Sequence, residues 1–131
     1  MATFQIVVVT PEATALDQTV DYVSIPAIDG ELGVMAHHAP LIARLGCGEL
    51  RLQSGGRTER LYVDGGFAQI ANNVVSVLTG QALKVAEIDV AQVQSALAEA
   101  ESRHADNPVD EDLRRRSIAQ AKAQLRVATK T

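Results

Sequence analysis

Ala86-Glu87-Ile88-Asp89 is the stretch on which the fold turns. Before it, apolar residues alternate with polar ones in short runs broken by glycine. After it, no glycine occurs, and apolar residues recur at helical spacing among many charges. At 131 residues the chain suffices for one small domain, or for a domain with an appendage. The change of period predicts a strand-built domain over residues 1–86 and a helical arm over 87–131.

Working back from the switch, Gln81–Val85 is a last strand and Val74–Thr79 a strongly β-branched one. Asn72-Asn73 is a turn, preceded by Phe67–Ala71 and by Gly65-Gly66, which marks a bend or a close backbone approach. Leu50 and Leu52 alternate with Glu49, Arg51 and Gln53, as in a half-buried strand. Ser54-Gly55-Gly56 then turns the chain back along Glu59–Val63. Further upstream Glu31–Met35 follows the turn signal Asp29-Gly30. In Ala13–Ile25, Val20, Tyr22 and Ser24 share one face and Asp21, Val23 and Ile25 the other, with Pro26 as the stop. Phe4–Thr10 is the first strand. Eight to ten short strands joined by tight turns fit a sandwich or flattened barrel. The lack of helical crossovers argues against a doubly wound parallel sheet.

Working forward, Asp89 is placed to cap a helix, with Gln92 at its third position and Ile88 and Val93 as a staple. Val90, Val93, Leu97 and Ala100 form its apolar stripe, and it should end near Arg103–Ala105. Asn107-Pro108 opens a second helix. Asp110, Glu111 and Asp112 lie at its positive dipole end, four residues ahead of Arg114, Arg115 and Arg116. Its seam is Ile118, Ala121, Leu125 and Ala128. Together the two make an αα-hairpin. Because the seam is largely alanine, the hairpin needs support from a further surface. All four acidic residues from Asp106 onward precede Leu113, so the distal part of the second helix, with Lys122, Arg126 and Lys130, is purely basic. Such a face suits an acidic partner, although a charged helix face is commonly only a solvated one.

Composition narrows the function. The net charge is −4 and the only aromatics are Phe4, Tyr22, Tyr62 and Phe67. Nucleic acid, which is bound in basic grooves lined by stacking rings, is therefore a poor candidate partner. The core must be aliphatic. Cys47, the single cysteine, lies between Gly46 and Gly48 and reads as a small buried residue. No leader or membrane-spanning pattern is visible, so any membrane association goes through a partner. His37 and His38 have no third ligand nearby, and no metal site follows from their spacing. One of them is expected to hydrogen-bond the loop before Pro40. Gly65-Gly66 lacks the pattern of a phosphate loop. The residues describe a non-enzymatic interaction module, with no catalytic residue and no resident cofactor.

Two segments carry a family resemblance. Ile25-Pro26-Ala27-Ile28-Asp29-Gly30-Glu31-Leu32-Gly33-Val34-Met35 with His37-His38-Ala39-Pro40-Leu41, and Tyr62-Val63-Asp64-Gly65-Gly66-Phe67 with Asn73-Val74-Val75-Ser76-Val77-Leu78, resemble the epsilon subunit of rotary F-type ATP synthases. Ala123-Gln124-Leu125-Arg126-Val127 resembles the end of that family's last helix. The likeness covers nearly the whole chain in order. It implies a ten-stranded β-sandwich of two antiparallel sheets followed by an antiparallel helical hairpin. It implies a non-catalytic central-stalk subunit that binds the gamma shaft and the c-subunit ring and couples ion flow to ATP synthesis. The hairpin of such proteins folds on the sandwich or extends towards the alpha and beta subunits, where it restrains ATP hydrolysis. By likeness, the partner-contact candidates are Glu31, His38, Arg114, Arg115, Arg116, Lys122 and Arg126. The implied location is peripheral, on the cytoplasmic face of a bacterial membrane or, alternatively, the stromal face of a thylakoid. Some members bind ATP between the helices through Ile-Asp-x-x-Arg-Ala. Here Ile88-Asp89 is followed by Gln92-Val93, which leaves Ile88, Asp89, Arg115, Arg116, Lys122 and Arg126 as weak candidates for ATP as a regulatory ligand. The competing reading is an unrelated β-sandwich adaptor with a helical interaction arm.

Overall fold

A computed structural model describes residues 2–129. Lys130, counted above among the basic residues, lies outside them. The chain forms two compact units, one up to Lys84 and one from Val85 onward.

The first unit contains β1 (Phe4–Val9), β2 (Thr14–Val20), β3 (Tyr22–Ala27), β4 (Gly30–Met35), β5 (Leu41–Ser54), β6 (Arg57–Ala71), β7 (Val74–Leu78) and β8 (Ala82–Lys84). The hydrogen-bonded order is β2-β1-β7-β6-β5-β3-β4, with β8 on β6. β5 and β6 are much longer than the strands expected, because Glu59–Val63 and Phe67–Ala71 belong to one strand. Their two ends pair in different company. Leu41–Arg44 and Phe67–Ala71 share a layer with β7, β1 and β2, whereas Glu49–Ser54 and Arg57–Val63 share one with β3, β4 and β8, and Leu45 at the crossing pairs with Ala27 of β3. Divided at their bends, the strands make five segments in each of two layers. Pairing is antiparallel apart from β1 and β7, which run parallel with Val9 opposite Leu78.

Glycine and asparagine make the sharp reversals possible. Gly55 and Gly56 turn β5 into β6 with φ of 56° and 82°, and Asn72 and Asn73 turn β6 into β7 with 53° and 63°. Asn73 also ties down this end. Its Oδ1 accepts the His37 N–H at 2.8 Å, and its Nδ2 donates to the Thr3 carbonyl at 3.0 Å. Pro26 does not stop β3, contrary to expectation. The β3–β5 ladder is interrupted between Ser24 and Ala27, so no ladder bond is asked of the proline nitrogen. β5 bends past it at Gly46-Cys47-Gly48, where a Cβ on Gly48 would lie 3.2 Å from the Pro26 Cβ.

Alternation fills the space between the layers with aliphatic side chains. Ile6, Val8, Val23, Ile25, Leu50, Leu52, Val63 and Val77 are among those fully enclosed. The lack of large rings is thus met by many branched residues packed from both layers.

In the second unit, a 3₁₀ turn (Val85–Glu87) leads into α1 (Val90–Ser102), and α2 follows (Pro108–Thr129). Both expected caps form. Asp89 Oδ1 accepts the Gln92 N–H at 3.1 Å, and Asn107 Oδ1 accepts the Asp110 N–H at 2.8 Å. α1 and α2 pack on each other as a hairpin. Ala100 is buried on α1, and Ala121, Ala123 and Val127 on α2. Ala123 and Val127 lie outside the expected seam.

Candidate functional site

The sandwich carries its most distinctive surface on the outer side of one layer. In each strand there, residues facing away from the core should be polar. Instead Ile42, Phe67 and Leu78 face outward, 69%, 51% and 52% exposed. Register explains why they form one patch. Arg44 pairs with Phe67, Phe67 with Leu78, and Leu78 with Val9, so the four side chains form a row across β5, β6, β7 and β1. Ile42 lies two residues from Arg44 and shares its face. A contiguous apolar surface of this kind is unusual unless something covers it.

At the β5 side this patch runs into an open groove of about 450 Å³ between the β3–β4 turn and the start of β5. Ile28, Asp29, Glu31, Leu41, Ile42 and Arg44 help line it. Ile42 and Arg44 therefore belong to both features. Glu31 stands exposed at the start of β4, on the groove wall. His38 is half-buried in the β4–β5 loop, and its Nδ1 lies 2.7 Å from the Ala39 carbonyl, next to Pro40. That is the loop-ordering role expected of one histidine.

Gly66, beside Phe67, holds the patch in place. Its φ is 100°, and the Leu78–Thr79 backbone passes so close that no side chain fits. The preceding bend is fixed by Asp64, whose N–H donates to Thr79 Oγ1 at 3.0 Å and whose Oδ1 accepts from Cys47 Sγ at 2.9 Å. Cys47 is half-buried and hydrogen-bonded, so it is structural, though less enclosed than expected.

The other constellation of charge is Glu49 with Arg60 and Arg51. Arg60 Nε donates at 2.7 Å and Arg51 Nε at 3.2 Å to the same Glu49 oxygen, and Arg60 Nη2 reaches the other oxygen at 3.2 Å. The Arg60 hydrogen bond chiefly, opposed by burial and aided by Arg51, holds the Glu49 carboxyl below the ordinary carboxylate range. The same pairing raises the Arg60 pKa, so both partners stay ionised at neutral pH.

The second candidate surface lies on α2. Arg115, Lys122 and Arg126 are exposed, and positions seven and eleven residues apart fall on one stripe of a helix. Lys122 and Arg126 form no ion pair among the described residues. Arg115 pairs with Glu111 at 3.1 Å and Arg116 with Asp112 at 3.8 Å, as the spacing predicts. The third expected pair does not form. Asp110 serves the Asn107 cap, and Arg114 turns inward to Glu111 and to the Glu101 carbonyl. Arg114 is thus set apart from Arg115 and Arg116, with which the sequence groups it.

The weak ATP candidates are spread over both elements of the arm, Ile88 and Asp89 at the start of α1 and Arg115, Arg116, Lys122 and Arg126 along α2. The Asp89 carboxylate is committed to its cap, and Ile88 is a half-buried residue beside it. α1 carries no lysine, arginine or histidine, so a phosphate between the helices would meet cations from α2 alone.

No helix among the described residues is long and apolar enough to cross a membrane. Residues 3–85 match the family model for the β-sandwich domain of the ATP synthase delta/epsilon chain. The chain is 46% identical over 122 residues to an ATP synthase epsilon chain of Rhodopirellula baltica, covering 93% of this chain and 95% of that one. It is 47% identical over 106 residues to one of Granulibacter bethesdensis, covering 80% and 78%. Its fold matches a chain in the cryo-EM structure of the Euglena gracilis mitochondrial ATP synthase OSCP/F1/c-ring, with a TM-score of 0.82 at 24% identity, covering 94% of this chain and 79% of that chain. A likeness spanning sandwich and hairpin together leaves no room for an unrelated adaptor. The chain belongs to the family of ATP synthase epsilon chains.

Proposed function

We propose that this protein is the non-catalytic epsilon subunit of a proton-translocating F-type ATP synthase. It sits in the central stalk and couples rotor movement to ATP synthesis. The sandwich seats on the gamma shaft through the row of Phe67, Leu78 and Ile42. The adjoining groove, with Asp29 and Glu31 on its wall, faces the c-subunit ring, and His38 supports that end. The arm is the regulatory element. When extended, it presents Arg115, Lys122 and Arg126 to acidic surfaces of the alpha and beta subunits and restrains ATP hydrolysis. The assembled complex places the protein peripherally on the cytoplasmic face of a bacterial membrane.

The observation that carries this reading is the exposed apolar row on a chain of this family. Burying two large apolar side chains against a partner contributes about 3–6 kcal/mol. Phe67→Asp together with Leu78→Asp should therefore weaken binding to the cognate gamma subunit at least about a hundredfold. Phe67 and Leu78 lie opposite each other on β6 and β7, so the two carboxylates repel and the melting temperature of the free protein should fall by a few degrees without loss of the fold. Calorimetric titration against purified gamma tests this. Unaltered affinity in a folded double variant would show that gamma docks elsewhere.

A further inference from the structure

α1 ends without the residue that ordinarily closes a helix. No glycine follows Gly80, and the C-cap Arg103 is extended, with φ of −68° and ψ of 135°. The last carbonyls must find donors elsewhere. Ser102 Oγ donates to the Glu99 carbonyl at 2.9 Å, and the Arg103 N–H to that of Ala100 at 3.3 Å. The Glu101 carbonyl is served by the other helix, through Arg114 Nη2 at 2.9 Å.

Two features mark this contact as more than a surface pairing. The Arg114 side chain is 25% exposed, against 75% for Arg115 and 66% for Arg116. Glu111 steadies it at 3.4 Å from Nη1. Against them, its Nε is buried with no hydrogen-bond partner among the described residues, a cost of the closed hairpin that opening relieves. A guanidinium at the negative end of α1 is favoured by the helix dipole as well as by the hydrogen bond.

We infer that Arg114 is the clasp of the hairpin. It is a cation borne by α2 that closes the C-terminus of α1 and holds the two helices at their loop end without a nucleotide. Opening the hairpin strips the Glu101 carbonyl of its donor and frees the guanidinium. An acidic partner surface therefore competes with Glu101 for the same side chain, and capture of Arg114 favours the open arm. That competition rests on the braking role proposed above, whereas the clasp itself is a property of the isolated chain.

Hydrogen–deuterium exchange on the full chain, with no other subunit present, tests the clasp. In Arg114→Ala, amides near the end of α1 should exchange about tenfold faster than in the wild type. Arg115→Ala loses a Glu111 pair but no contact with α1, and should leave those rates unchanged. Equal rates in the two variants would overturn the clasp. Should Arg114→Ala unravel the arm, Arg114→Lys is compared with Arg115→Lys and read the same way. Millimolar ATP should leave the wild-type pattern as it is. Protection of α1 by ATP would overturn the claim that the hairpin is held without nucleotide.

Discussion

Replacing Gly66 by alanine separates two reasons for a glycine that sequence alone cannot tell apart. A φ of 100° is unfavourable for any L-residue and costs about 1–2 kcal/mol. The larger effect is steric. A Cβ at residue 66 would overlap the Leu78 carbonyl oxygen, with Leu78 C at 2.9 Å and Thr79 Cα at 3.0 Å. Those are backbone atoms of the paired strand and cannot rotate aside. β6 and β7 would have to part where Phe67 faces Leu78, losing one or two ladder bonds at about 1 kcal/mol each and loosening the core behind them. The sum is about 3–5 kcal/mol, a large share of the roughly 5–15 kcal/mol typical of a domain. Gly65 is the internal control. Its φ is 66° and the nearest atom to a Cβ there is the Leu45 carbonyl oxygen at 3.9 Å, so Gly65→Ala should cost only about 1 kcal/mol. Urea unfolding followed by far-ultraviolet circular dichroism reads both values. If the two variants lose the same stability, close approach of β7 is not what demands glycine at 66.

Two further outcomes follow from the charged cluster and from the arm. Because its folded pKa is depressed, Glu49 adds stability in full above its ordinary pKa, and that contribution is lost as pH falls through the folded value. Arg60→Ala should therefore cost about 1–2 kcal/mol near pH 7 and progressively less towards about pH 3, in unfolding series at both pH values; a constant gap would refute the assignment. Truncation after Val85 should leave a folded sandwich that still binds gamma, and should raise ATP hydrolysis by the assembled enzyme. Unchanged hydrolysis would refute the brake while leaving the stalk role intact.

Much of this architecture is legible in the chain because two periods are written into it plainly. Asp89 and Asn107 mark their helix starts because capping is a local interaction. Gly55-Gly56 and Asn72-Asn73 mark hairpins because few other residues accept positive φ twice in succession. What escaped depends on contacts distant in sequence. Pro26 looks like a stop until the gap in the β3–β5 ladder is known. Gly65-Gly66 is legible as a bend or a close approach, and Gly66 is such an approach, but that Glu59–Val63 and Phe67–Ala71 form one strand across it depends on pairing with β5. The outward row of Ile42, Phe67 and Leu78 is hidden in the sequence, because an apolar residue in an alternating strand looks the same whether it faces core or partner. A departure from strict alternation at Leu41-Ile42 was the available signal. Arg114 looks like its neighbours in the sequence because spacing shows which charges are near, not which one a second helix recruits.

The passage of β5 and β6 through both layers has a mechanical consequence. In a sandwich whose layers share only side-chain contacts, a sideways load lets one sheet slip over the other. Here two continuous backbones cross from layer to layer, with 13 paired positions between them. Slip would require stretching covalent chain or unzipping that ladder. A twisting load delivered at Phe67 therefore reaches the opposite layer as tension along peptide bonds, and the sandwich behaves as a stiff washer between whatever turns it and whatever it turns.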